Sequence, residues 1–592
     1  MAPITGTKRP ATSTNDAAAK KAKTGHKFAG KDGQKPAGKD GKKPFAKKPF
    51  AKDGKKPYES KKPLTKDGNV DYKLQRKMNR PHYEVVKRAK EIWNIIRERN
   101  VPKEKRTALC DELYGLVQGK IYDVAAKHDA SRVIQSLLKF GSPAQRSGAV
   151  KELQPYILEL AKMQYGYFLV QKMLKYGNKD DRALIVKEMT GHVVKLATHN
   201  VAANILEAAH EYLQPRQLSG LKLEFYGKEF ALFKSEYEAT GAKKTLADIV
   251  AHSPAKKEEI LAHVADILNK MIDKQLLGMA FVQALLLEYM TVASADQVNA
   301  MVPNVRDAAV ALLATRNGAK VVTLTLSLGN PKDRKRVIKT LKDKVLEATN
   351  HISGYLVIMR IMDVVDDTVL VQKSVLSELH GHWHDVALHP NGAKLLLQLL
   401  SPLNSKYLGP DEIALMQPPM VPGPDGTPVV NYKKEPAVRR AELWKGLQPT
   451  IEAMCEEHAA ALLRSKSGGQ VLFEVLKATE NQGLVAAVVD AIVNDEPEEG
   501  AEPLFSDLVG HKLLQRLVKE TAIAGLLLKA LSAATIGEWA ASNRGAFVLL
   551  SFLHADDTAA KKTLTAAVKA KKLSKEAKAQ AGTTLLLQKL NL

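Results

Sequence analysis

The stretch HDASRVIQSLLKFG, residues 128–141, decides how the chain is read, because much of the remainder repeats it imperfectly. It carries a small polar residue (Ser131), a flat cation (Arg132), an apolar pair (Val133, Ile134) and a glutamine (Gln135). On a helix, residues three or four apart share a face. Ser131 and Gln135 can therefore point together at one flat target while Val133 and Ile134 turn towards a core. Arg132 stands beside them, where a guanidinium can stack on a ring. That combination suits reading the edge of one unstacked base.

Ten further pentads align on SRVIQ (131–135): YFLVQ (167–171), ANILE (203–207), KEFAL (228–232), MAFVQ (279–283), AKVVT (319–323), YLVIM (355–359), AKLLL (393–397), GQVLF (469–473), HKLLQ (511–515) and AFVLL (546–550). The third and fourth residues are apolar in all eleven, and glycine precedes nine of them. A glycine there permits a tight turn or close helix packing. Short amphipathic segments such as VVKLATHNVA (193–202) and WHDVALHPNG (383–392) come before them, so each unit is helix, turn, helix. Most pentads start 35–42 residues after the one before, and KEFAL is displaced within a 76-residue gap. A second 76-residue gap holds 402–440, whose proline and glycine content predicts a long surface loop inserted inside a repeat. A helical period near 36 predicts an all-α solenoid whose units bury their faces against neighbours. A helix over 82–100 and, after Pro102, a second through Leu109, Leu113, Leu116 and Val117 read as a cap ahead of the array, and the lysine-rich, helix-prone 561–590 as a second cap or a further basic contact.

This arrangement resembles the Pumilio (PUF) repeat, whose second helix carries a YG-x-x-V-x-Q signature. QYGYFLVQKMLKYG (164–177) and HDASRVIQSLLKFG are the best matches. With the basic tail, the capping helices and QGKIYDVAAKHDASRVIQ (118–135), the chain resembles the nucleolar Puf-A branch of that family over about 81–555. The resemblance implies a bent, L-shaped α-solenoid, and the count of about eleven repeats departs from the eight usual in the family. It also implies nucleolar residence and work on the large ribosomal subunit's precursor RNA, among pre-ribosomal particle proteins. The expected organisation is a disordered tail (1–80), capping helices with repeats one to three (81–215), and repeats four to eleven with the inserted loop (216–592).

In PUF repeats, pentad positions one and five contact a base edge and position two stacks between bases. Carried across, Ser131, Arg132 and Gln135 match an adenine-reading set, and Tyr167, Phe168 and Gln171 keep a stacking ring and a glutamine. Later copies mostly lose edge-reading groups, with His511 and Gln515 the exception. An apolar group opposite a base leaves its donors and acceptors unpaired, which disfavours binding. Position two stays cationic at Arg132, Lys320, Lys394 and Lys512, which suits phosphates. The expectation is a binder of RNA, structured or single-stranded, and of DNA, with little sequence selectivity. A sequence-specific regulator of mRNA translation and a protein-binding helical adaptor are the alternatives.

The formal charge of +25 is concentrated at one end. Residues 1–80 hold 23 Lys and Arg against 7 Asp and Glu, so most of the basicity is a tail. Its repeated KDG and KKPF units bury too little to offset the entropy of ordering. Within it, KRPATSTNDAAAKKAK (8–23) resembles a bipartite nuclear import signal, with Lys8 and Arg9 ahead of Lys20, Lys21 and Lys23. An import receptor is the implied partner and the nucleus the implied compartment. The two cysteines, Cys110 and Cys455, exclude a disulfide framework and a multi-cysteine zinc site. No apolar run is long enough to cross a bilayer, so no membrane partner is expected and the protein should be soluble.

HGHWHDVALH carries His380, His382, His384 and His389, but in a first-helix slot and without an acidic or cysteine partner. No metal or other cofactor is expected. Tyr165 reads as a core residue. No phosphate-binding glycine loop, GxSxG elbow or HExxH motif occurs, so an enzyme is not expected.

Overall fold

A computed structural model describes residues 78, 82–126, 130–232, 245–423, 425, 427–497, 499–553 and 558–592. The import-signal residues Lys8, Arg9, Lys20, Lys21 and Lys23, and with them the tail, lie outside these. The stretch from Arg76 to Leu592 forms one compact unit. Among the described residues it is helical apart from two short strands. None of those helices is long and apolar enough to cross a membrane.

The repeating unit is a short first helix, a turn, a second helix and a third helix, as in Val193–Ala197, Ala203–Tyr212 and Pro215–Tyr226. The second helices pack each on the next like rungs: Ser131–Phe140, Tyr167–Tyr176, Ala203–Tyr212, Ala280–Val292, Arg316–Leu328, Tyr355–Val364, Ala393–Leu400, Lys466–Ala478, Gly510–Glu520, Asn543–Ser551 and Ala581–Leu590. The apolar pair at pentad positions three and four drives this stacking. Val133 with Ile134, Val357 with Ile358 and Val471 with Leu472 are all fully buried. Each such side chain contributes about 1.5–3 kcal/mol of transfer free energy. The helices Tyr83–Ile96 and Lys103–Val117 pack on the first rung.

Two features recur with the rungs. The residue four before the pentad caps the second helix: the side chains of Thr315, Ser465, Asp507 and Ser542 accept backbone N–H groups there. In three rungs a histidine does this, its Nδ1 accepting from the turn at His199, His351 and His389. The glycine just before the pentad lets the second helix close on the end of the first. A Cβ at Gly354 would lie 2.5 Å from the Ala348 carbonyl oxygen, and one at Gly166 2.6 Å from that of Leu160. Ala130 and Ala202, both fully buried, stand at this place in the first and third rungs.

Among the described residues there are eleven rungs, but three places differ from the sequence reading. KEFAL (228–232) is not a rung: Lys228–Leu232 packs on the third helix Pro215–Tyr226, and rung three stacks directly on Ala280–Val292. Gly227 before it has φ +152° and is the C-cap of Pro215–Tyr226 instead. MAFVQ (279–283) is one helical turn too early. Met279 is the N-cap of Ala280–Val292, in the place that Thr315 holds in the next rung, which makes the true pentad QALLL (283–287). Leu285 and Leu286 are its buried pair. The last rung, Ala581–Leu590, comes from the lysine-rich C-terminal segment; Gly582 closes on Asn543, and Leu586 is buried.

The insertion at 402–440 is also unlike its prediction. It holds a helix (Pro410–Met416), an antiparallel pair (Met420–Pro422 with Pro428–Val430) and the start of the 22-residue helix Pro436–Glu457. Proline and glycine interrupt local regularity, but its order comes from side chains anchored on distant rungs. Asn431 Nδ2 donates to the Leu328 carbonyl at 2.6 Å, Arg439 Nη2 to Asp366 at 2.7 Å, and Lys394 Nζ to Glu412 at 2.7 Å. It is a strap.

Candidate nucleic-acid interface

Pentad positions one, two and five line one face of the rungs, and the polar side chains on that face are largely engaged. Ser131 is buried, its hydroxyl 3.5 Å from the Tyr165 carbonyl of the next unit, and it accepts from Gln135 Nε2 at 3.2 Å. Gln171 Nε2 donates to the Asn204 carbonyl at 3.2 Å. Glu207 does more. Its carboxylate accepts from the N–H groups of Ala280 and Phe281 at 2.9 and 3.2 Å, capping the rung that follows the interruption. In these three rungs, groups that could read bases join one rung to the next.

Arg132 and Phe168 are exposed, and Tyr165 is 44% exposed, not the core residue the sequence suggested. Tyr167 is half-buried against the Phe168 ring, with centroids 4.0 Å apart, and burial pushes its phenol up.

From rung six to rung nine the strap lies against this side of the array. Glu412 accepts from the Tyr355 hydroxyl and from Lys394 Nζ, so position one of one rung and position two of the next hold the chain's own carboxylate. Burial opposes ionisation of Glu412, but Lys394, Tyr355 and the Gly409 N–H outweigh it and hold the carboxyl below its ordinary range. The same burial, with the bond to Glu412, pushes the Tyr355 phenol up to about 12. Arg360 donates to the Leu415 carbonyl, Arg516 to the Tyr407 hydroxyl at 3.1 Å, and Tyr407 to Glu474. Lys394, expected as a phosphate contact, is thus paired within the protein.

His511 is buried, with Nδ1 2.6 Å from the Asp507 carbonyl, and Gln515 is half-buried. Lys320 is half-buried and Lys512 exposed; neither enters an ion pair among the described residues. Lys512 lines a cleft of about 320 Å³ with Lys466, Gln470 and Arg516, where Gly469 at position one supplies no side chain. Lys466 and Arg516 flank their pentads rather than belong to them, so pentad reading passed over both. Of the histidine group, His389 caps a turn and the ring of His384 lies against that of His458, centroids 4.1 Å apart. No group of three His, Cys, Asp or Glu among the described residues is placed to hold a metal.

The family model of the Pumilio-family RNA binding repeat matches residues 130–153 and 156–190, and that of the CPL (NUC119) domain matches 388–524, which includes the strap. The chain is similar to Pumilio homolog 3 of Rattus norvegicus, with 32% identity over 500 residues, 81% of this chain and 75% of that protein. It is 27% identical to Pumilio homolog 24 of Arabidopsis thaliana over 82% of this chain and 84% of that one. A crystal structure of human Puf-A superposes with a TM-score of 0.75 at 30% identity, covering 86% of this chain and 100% of that chain. A second, of human Puf-A in complex with DNA, superposes with a TM-score of 0.74.

Proposed function

The chain belongs to the Pumilio family, in its Puf-A-type branch, and from that premise we propose that it holds RNA, and DNA as well, with little sequence selectivity. It acts by binding, not by catalysis. The observation that carries the low selectivity is the engagement of the pentad face. Rung-to-rung hydrogen bonds use Ser131, Gln171 and Glu207, Gln135 is tied to Ser131 within its own rung, and the strap uses Tyr355 and Lys394. A base offered to those positions would have to displace internal partners at a cost of about 1–3 kcal/mol per broken bond. The remaining cations, Arg132, Lys320 and Lys512, suit phosphates, which carry no sequence information. The complex of human Puf-A with DNA supports the same reading.

Arg132 and Phe168 keep their exposed faces, which favours at most one or two selective positions in the first two rungs. The compartment and the process follow the branch: residence in the nucleus and nucleolus, import through the 8–23 signal, and processing of large-subunit precursor RNA among pre-ribosomal proteins. Competition binding tests the selectivity. Scrambled and native-sequence RNA should displace a labelled strand equally, and a large preference for one short motif would sink it. Crosslinking followed by sequencing tests the process, with large-subunit precursor RNA the expected dominant product.

A further inference from the structure

The second helices of the first three rungs all end on an aromatic residue nine positions after the pentad starts: Phe140, Tyr176 and Tyr212. The three helices pack in sequence, so these rings follow one another at one rung per step. Cations lie over each. Arg106 and Lys139 stand 5.1 and 4.8 Å from the Phe140 centroid, and Arg146, Lys172 and Lys175 stand 5.6–5.9 Å from that of Tyr176. Lys175 also lies 5.6 Å from Tyr212.

This is not a requirement of the rung. In the fourth to sixth rungs the same position holds Val292, Leu328 and Val364, so no ring stands there for a cation to cover. The arginines are also held in advance. Arg106 and Arg146 each donate one Nη2 to a backbone carbonyl, of Glu98 and Lys139, at 2.9 and 3.0 Å. Their Nε atoms are buried without a partner, and their Nη1 atoms stay unengaged among the described residues. A guanidinium already held over a ring and on a carbonyl loses less freedom when it meets a phosphate. Glu211, next to Tyr212, is the acidic neighbour of Lys175. None of the five cations enters an ion pair among the described residues.

We propose that this edge of the first three rungs, at the C-terminal ends of their second helices and beyond the pentads, is a rail for the phosphodiester backbone of RNA; the inference rests on the RNA-binding reading above. The rings position the cations, and the cations meet successive phosphates.

The test uses the full chain and a labelled oligo-uridine strand, titrated across a range of salt. Replacing Lys139, Lys172 and Lys175 together by Ala should weaken binding at least tenfold. It should lower the salt slope by about 2, from three phosphate contacts at about 0.7 each on a single strand. Tyr176→Leu keeps apolar volume but removes the ring; it should weaken binding several-fold with an unchanged melting temperature. If the wild type binds and the triple variant keeps its affinity and slope, the rail is overturned while the RNA-binding reading stands. If the wild type itself fails to bind at low salt, that reading falls first. A triple variant that keeps RNA but loses captured poly-glutamate would mark the edge as a dock for acidic protein and overturn the rail as well.

Discussion

Lys394 Nζ and Glu412 lie 2.7 Å apart, joining position two of the seventh pentad to the strap. The carboxylate is nearly buried and the ammonium about one-fifth exposed. Removing one partner leaves the other charge in a poorly solvated place. Glu412→Ala should therefore lower unfolding stability by about 2 kcal/mol, and by more than Lys394→Ala, because Glu412 also accepts from Tyr355 and Gly409. Chemical denaturation measures the difference; equal stabilities for wild type and Glu412→Ala would show that the strap is not anchored there.

The same pair makes a prediction about binding. Lys394 is neutralised internally, whereas Lys512 is exposed on the cleft with Lys466 and Arg516. Lys512→Ala should reduce the salt slope for single-stranded RNA by about 0.7, and Lys394→Ala should leave it unchanged. Fluorescence anisotropy against salt decides this. A larger effect at Lys394 would mean that RNA displaces Glu412.

The turn glycines differ in what surrounds them. A Cβ at Gly354 meets the Ala348 carbonyl at 2.5 Å, while one at Gly278 meets nothing within 4 Å. Gly354→Ala should cost about 1–3 kcal/mol through overpacking. Gly278→Ala should fall within about 0.5 kcal/mol of wild type. Thermal melting of the two variants side by side checks the contrast.

Asp363 gives a pH dependence. Burial pushes its carboxyl up to about 6, with Arg360 and the Gln398 amide pulling the other way. The folded protein therefore binds that proton more tightly than the unfolded chain. Its stability contribution is complete below about 4 and is lost as pH rises through about 6. Asp363→Asn removes the charge, so its melting temperature relative to wild type should rise between pH 5 and pH 7.5. The gain in stability should be about 1–3 kcal/mol. The same offset at both pH values would refute the assignment.

The rungs were legible because their core requirement is local. An apolar pair beside a small residue, repeated near every 36 residues, leaves few alternatives to stacked helices. Where the reading slipped, a local imitation was to blame. Gly227 ahead of Phe230 and Ala231, and Gly278 ahead of Phe281 and Val282, reproduce the glycine-plus-pair pattern without its packing. The final rung, whose pentad is TLLLQ (584–588), was missed because Thr583, not glycine, precedes it. The site was harder to read. Ser131 and Gln135 have the chemistry of base readers, yet their partners are each other and the next unit's Tyr165. The strap's order depends on Tyr407, Glu412 and Asn431 meeting residues on other rungs, some of them about a hundred positions away. No periodicity in the sequence encodes such meetings.

An array in which each unit touches only its neighbours can fray from an end, one unit at a time. The strap changes that here, because it reaches from Arg516 through Glu474, Gln398 and Tyr355 to Leu328. The five rungs between Arg316 and Glu520 are laced together and should open as one cooperative block, with their amides sharing a single exchange rate. Rungs one to three carry no such lacing and should open more readily. The end of the array that holds the rail is thus the part free to flex around an irregular RNA, while the laced block keeps its form.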